Sequence, residues 1–124
     1  MRILLDANAV LRYLLNDNAE MAATAKSAIE YGAYLLPEVL AEVVYVLCGV
    51  YAVPRTDVAS RLASFIDEVD CENRDVLRNA LTMFGTRKID FVDCILAAYH
   101  AVCGDSILTF DKELKKILNA PPNG

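Results

Sequence analysis

One histidine and four cysteines without a CxxC pair leave this chain short of the ligands from which zinc sites are built. Cys48, Cys71, Cys94 and Cys103 are scattered, and three of them lie in apolar helical patterns where a free thiol behaves as a small hydrophobe. A disulfide framework is therefore not expected either. His100 stands alone in an apolar stretch with no recognisable serine or cysteine partner, which argues against a nucleophile and base of the triad kind. Glycine and proline are few, and there is neither a low-complexity segment nor an internal repeat. No apolar run approaches the roughly 18 to 20 residues that span a bilayer, and Arg2 to Leu5 is too short for a signal sequence. The expectation is a cytoplasmic protein with no membrane contact. Basic residues are also scarce, 12 Lys and Arg against 17 Asp and Glu, for a net charge of −5. That balance argues against gripping nucleic acid by bulk electrostatics, which needs clustered cations. It does not exclude nucleic acid as a substrate, because divalent cations held by carboxylates reverse the local sign. The remaining acidic surface suits a basic partner protein.

What the chain does have is a high apolar content, 56% over 124 residues, enough for one domain with a real core. Ile3, Leu4 and Leu5 form a short apolar run that stops at Asp6, as a strand buried on both faces would. Helices follow over Ala7 to Leu15 and, with Asn18 as cap, over Ala19 to Tyr31, ended by Gly32. Ala33 to Leu36 reads as a second strand and Pro37 as the first turn of a third helix running through Glu38 to Tyr51. A fourth helix opens at Pro54 to Asp57, with Thr56 as its cap and Val58, Leu62, Phe65 and Ile66 as its buried stripe. A brief strand at Val69 to Cys71, a helix Arg74 to Phe84, a loop Gly85 to Ile89 and a helix Phe91 to Cys103 come next. That last helix is apolar almost all round, hence expected to be buried. Ile107 to Thr109 completes the strands, and Lys112 to Leu118 is a closing helix. Strands alternating with helices predict an α/β fold with a mainly parallel central sheet, over residues 1–119, with 120–124 a disordered tail.

Four acids sit in apolar company. Asp6 ends the first strand, where open parallel sheets collect their chemistry, and Asp111 follows the last one. Glu42 lies one turn from both Val39 and Val46, on the face that also carries Val43 and Val50; a helix rotated to put it at a wet edge is the plain alternative. Asp93 is at the third position of the Phe91 helix, where it either reaches back to cap that helix behind Asp90 or serves a site. Asp111 by itself reads more readily as a helix cap than as a site residue. Asn8 and Thr109 flank the two strand ends and are placed to hold carboxylates or waters. Carboxylates that converge without cations repel, and the usual resolution is a hard dication, Mg²⁺ or Mn²⁺. Such a site activates water and clamps phosphoryl oxygens.

Together, ILLDANAVLRYLLNDN, PEVLAEVVYVL, IDFVDCILAAYHA and LTFDKEL resemble the PIN-domain family, in particular the VapC-type toxins of toxin-antitoxin modules. The resemblance covers nearly the whole chain. It implies a three-layer α/β/α sandwich that binds Mg²⁺, or Mn²⁺ in its place, and hydrolyses RNA phosphodiester bonds. It also implies that Asp6, Glu42, Asp93 and Asp111 are the metal-binding acids, with Asn8 and Thr109 supporting them. Ala7 stands where many relatives have Thr, which alters a supporting hydrogen bond and leaves the acids intact. A homodimer and a cognate antitoxin, carrying a basic residue into the acidic groove, are implied as partners. The rival readings are a catalytically silent PIN-like binding or scaffold module and a flavodoxin-like or phosphoaspartyl receiver domain. The latter lacks the early acidic pair it would need. Arg12, Arg55, Arg61, Arg87, Lys88, Lys112, Lys115 and Lys116 are candidates for phosphate contact and equally for ordinary surface charge.

Overall fold

In the computed structural model, which describes residues 1–120, seven helices carry nearly all the regular structure: α1 (Ala7–Leu15), α2 (Ala19–Glu30), α3 (Pro37–Gly49), α4 (Arg55–Phe65), α5 (Arg74–Thr86), α6 (Phe91–Cys103) and α7 (Lys112–Leu118). Their ends follow local chemistry. Asn18 caps α2 by accepting the Met21 N–H at 3.0 Å, Pro37 occupies the first position of α3, and Gly104 ends α6 in the left-handed region at φ 77°. α4 starts at Arg55 behind Pro54 with no side-chain cap, so Thr56 lies inside the helix. α5 runs on through Gly85 and Thr86, two residues of the expected loop. Of the expected tail, Ala120 still donates to the Ile117 carbonyl at 3.2 Å; residues 121–124 lie outside the described range.

The expected α/β/α sandwich with a mainly parallel central sheet is corrected: among the described residues there is no sheet. Three of the four apolar runs meet as two isolated parallel bridges, Leu4 with Tyr34 and Tyr34 with Asp70. Tyr34 donates to the Ile3 carbonyl at 2.7 Å and Leu5 to the Tyr34 carbonyl at 3.1 Å, while Leu35 donates to Asp70 at 2.8 Å and Asp70 to Ala33 at 3.1 Å. The fourth run, Ile107 to Thr109, has no bridge. The physical reason is coverage. A parallel sheet needs both faces buried, yet Ile3 and Leu4 are about half exposed, and Leu108 and Phe110 project into solvent at 89% and 86%. α6 is likewise not buried all round: Phe91, Cys94, Ala97 and Ala98 face inward, whereas Val92, Leu96 and Val102 face out.

The core is built by helices over the three bridged segments. Leu5, Leu35 and Val69 from those segments join Val10 and Leu11 of α1, Leu40, Val43 and Leu47 of α3, Phe65 of α4, Leu77 and Leu81 of α5, and Phe91 of α6. Val58, Leu62, Phe65 and Ile66 form the buried stripe their spacing predicts. Phe84 and Phe91 meet edge to face, with centroids 5.7 Å apart, and fix the start of α6 against α5. No helix among the described residues is long and apolar enough to cross a membrane.

Candidate active site

Asp93 is the acid with the strongest environmental signature. It sits in the first turn of α6, half-buried, and its carboxyl is held above the usual range, first by burial and then by the negative charges of Asp111 and Asp90. No hydrogen bond or ion pair among the described residues engages it. Asp90 occupies the cap position of α6 but makes no side-chain cap bond, so the capping account of these two acids is not realised. The helix dipole at this end offsets part of the cost of the charge.

Asp111 caps α7, its Oδ1 accepting the Glu113 N–H at 2.9 Å, and Thr109 fixes the same residue by accepting the Asp111 N–H on its Oγ1 at 3.1 Å. Thr109 thus orients Asp111 through the backbone. Asp6 caps α1, its Oδ1 accepting the Ala9 N–H at 2.8 Å, and is exposed; Asn8 is exposed in the first turn of the same helix. Glu42 is exposed as well. α3 turns Leu40, Val43, Val44 and Leu47 into the core, which leaves Glu42 at the wet edge instead of on the buried face. Asp111 and Asp90 are the charges brought to Asp93, whereas Asp6 and Glu42 do not figure among those acting on it. Asp90, which the sequence offers as the cap of α6, also bears on Asp93 through its charge, as residues three apart share a helix face.

Several basic candidates serve the fold. Arg55 donates from Nη2 to the Ile89 and Arg87 carbonyls at 2.6 and 2.7 Å and from Nε to the Phe84 carbonyl at 3.2 Å, while stacking 3.7 Å over the Phe84 ring. It ties down the loop that delivers Asp90 and Asp93. Arg61 donates to the Leu14 carbonyl at 2.9 Å, and Arg12 bridges Asp17 and Tyr51 at 2.8 and 3.0 Å. Lys88, Lys112, Lys115 and Lys116 remain exposed.

Among the described residues no three His, Cys, Asp or Glu side chains are spaced to hold a metal ion. The described residues therefore form no closed protein cage. Mg²⁺ does not require one, since it is commonly held by one or two carboxylates with waters and substrate phosphates filling its octahedron. Asp93, burdened by two neighbouring negative charges and lacking a cation, has the donor chemistry for that mode. The family profile described as PIN domain matches residues 3–118. Neither the curated proteins nor the solved structures compared with the chain contain a match.

Proposed function

The chain belongs to the PIN domain family, whose members are usually nucleases, and from that premise we propose a metal-dependent endoribonuclease, the toxin of a toxin-antitoxin pair. The observation that carries this reading is Asp93: a half-buried carboxylate, without a cationic partner, beside two more acids at the head of a helix. Keeping a charge there costs stability unless something positive occupies the site. Mg²⁺, or Mn²⁺ in its place, would be held by Asp93 with Asp111, and the family pattern adds Asp6 and Glu42. The chemistry a bound dication supplies is neutralisation of phosphoryl oxygens and a lower pKa for water. The chain's own part is positional. Arg55 fixes the loop ahead of Asp93, Thr109 orients Asp111 through its amide, and Asn8 offers a side-chain amide beside Asp6. Attack by water on phosphorus, in line with the departing oxygen, leaves the 2′-hydroxyl outside the reaction.

The acidic site and the net charge of −5 also fit a basic partner segment, as an antitoxin would supply, and a homodimer is part of the same proposal. Purified protein is expected to cleave single-stranded RNA in Mg²⁺ or Mn²⁺, and Asp6→Ala and Asp93→Ala to lose cleavage while remaining folded by circular dichroism. Cleavage that survives saturating EDTA would rule the proposal out.

One observation favours the silent binding module. Asp6 and Asp111 already cap helices, and the acids form no ready three-ligand group among the described residues. Calorimetric titration with Mn²⁺ separates the two readings, because a silent module need show no binding that depends on Asp93.

A further inference from the structure

Beside Asp6 lies an open cavity of about 510 Å³ between the first extended segment, α1 and α2. We infer that this cavity seats an unstacked nucleobase and its ribose, on the strand whose phosphate is cut; the inference rests on the nuclease reading and extends it to substrate recognition. The volume is within the range of small-ligand pockets, roughly 300 to 1,000 Å³. Its apolar wall is half open to water, with Leu4 and Met21 each 50% exposed. Covering that wall with a planar ring removes apolar surface from water.

The polar wall selects which part of a nucleotide enters. Asp6 contributes a carboxylate with one oxygen already committed to the Ala9 amide. Asn8 contributes a side-chain amide that no described residue engages, with a donor and an acceptor on one group, the pair needed to read a base edge. Arg12 also lines the cavity, but its two terminal nitrogens are held by Asp17 and Tyr51, so its charge is spoken for. With Asp6 and Glu20 on the rim, the cavity is not positive overall and does not suit a phosphate. A neutral ring with hydroxyls fits it, and RNA offers such groups where bases are unstacked. The phosphate then falls outside the cavity.

The test reads the cavity without requiring catalysis. The methyl signal of Met21, on a protein labelled at its methionines, is followed by NMR during titration with nucleoside 5′-monophosphates, with ribose 5-phosphate as control. Saturable shifts with a Kd on the order of 1 mM are expected for at least one base, and none for the control. Thr24 is exposed on the cavity wall, so Thr24→Phe fills the space from a helix surface and should abolish the shifts, while Thr24→Ala should keep them. A single-stranded RNA oligomer should displace the monophosphate from the same signal. Absence of any shift at about ten times that concentration, equal shifts in Thr24→Phe, or failure of RNA to compete overturns the inference. Binding without RNA cleavage by the wild type sinks the nuclease reading and leaves the cavity as a nucleotide site; cleavage without binding does the reverse.

Discussion

Replacing Arg55 by alanine should be among the costlier single charge removals in this chain, because its guanidinium holds backbone carbonyls at the end of α5 and in the loop that follows. Three backbone carbonyls, of Phe84, Arg87 and Ile89, have it as their donor, at 3.2, 2.7 and 2.6 Å, and the group stacks 3.7 Å over the Phe84 ring. Hydrogen bonds from a charged donor are worth about 1.5 to 3 kcal/mol each. The bond to Arg87 lies in water and counts for little, whereas those to Phe84 and Ile89 are partly buried. Two such bonds, with a stacking contribution that overlaps them, give a loss of about 4 kcal/mol. Domains of this size carry roughly 5 to 15 kcal/mol in total, so the variant should be marginal. At about 4 °C per kcal/mol, the melting temperature should fall by about 15 °C. Urea denaturation followed by circular dichroism measures this directly, with an unchanged slope showing that the two states compared are the same. Arg55→Lys should recover less than half of the loss, since an ammonium cannot fork between separated carbonyls. A cost below about 1 kcal/mol for Arg55→Ala would refute the clamp.

The remaining expectations are more local. Asp93→Asn should raise the melting temperature near neutral pH: the folded chain holds that proton more tightly than the unfolded one, so ionisation costs stability as pH climbs from the ordinary Asp range through the raised value. The gain should vanish below about pH 3, where both states are protonated, and a variant no more stable than wild type near pH 7 contradicts the placement of Asp93. Gly85→Ala would put a methyl 2.9 Å from the Ala59 Cβ where α4 meets α5, with a cost of about 1 to 3 kcal/mol in urea denaturation that Ala59→Gly partly restores. Iodoacetamide should label exposed Cys103 in the folded protein and Cys94, whose thiol burial pushes up to about 12, only after denaturation; mass spectrometry showing Cys94 labelled first would contradict the packing of α6.

The helices were legible because their signals are local. α1, α6 and α7 run over the residues that spacing and turn chemistry assign them, and Asn18 caps α2 as its position suggests. The sheet was not, for a reason visible in Ile3 to Leu5 and Ile107 to Thr109. A three-residue apolar run carries no period, and whether it pairs depends on what covers it. The register of α3 was ambiguous in a similar way. Valine or leucine at positions 39, 40, 43, 44, 46, 47 and 50 supports more than one buried face, and only the neighbouring helices choose the one that leaves Glu42 wet. At the site, Asp93 could be singled out from the apolar residues around it and Asp90 lies within a turn of it, but the larger neighbouring charge effect, that of Asp111, comes from the start of α7, far along the chain. The role of Arg55 was out of reach, because its three acceptors lie 29 to 34 residues away.

The decisive measurement is the anomalous difference map of a crystal soaked in Mn²⁺. The account predicts a peak in contact with the Asp93 carboxylate and at least one of Asp111, Asp6 and Glu42. Manganese bound only at unrelated acids, with Asp93 bare, would contradict it.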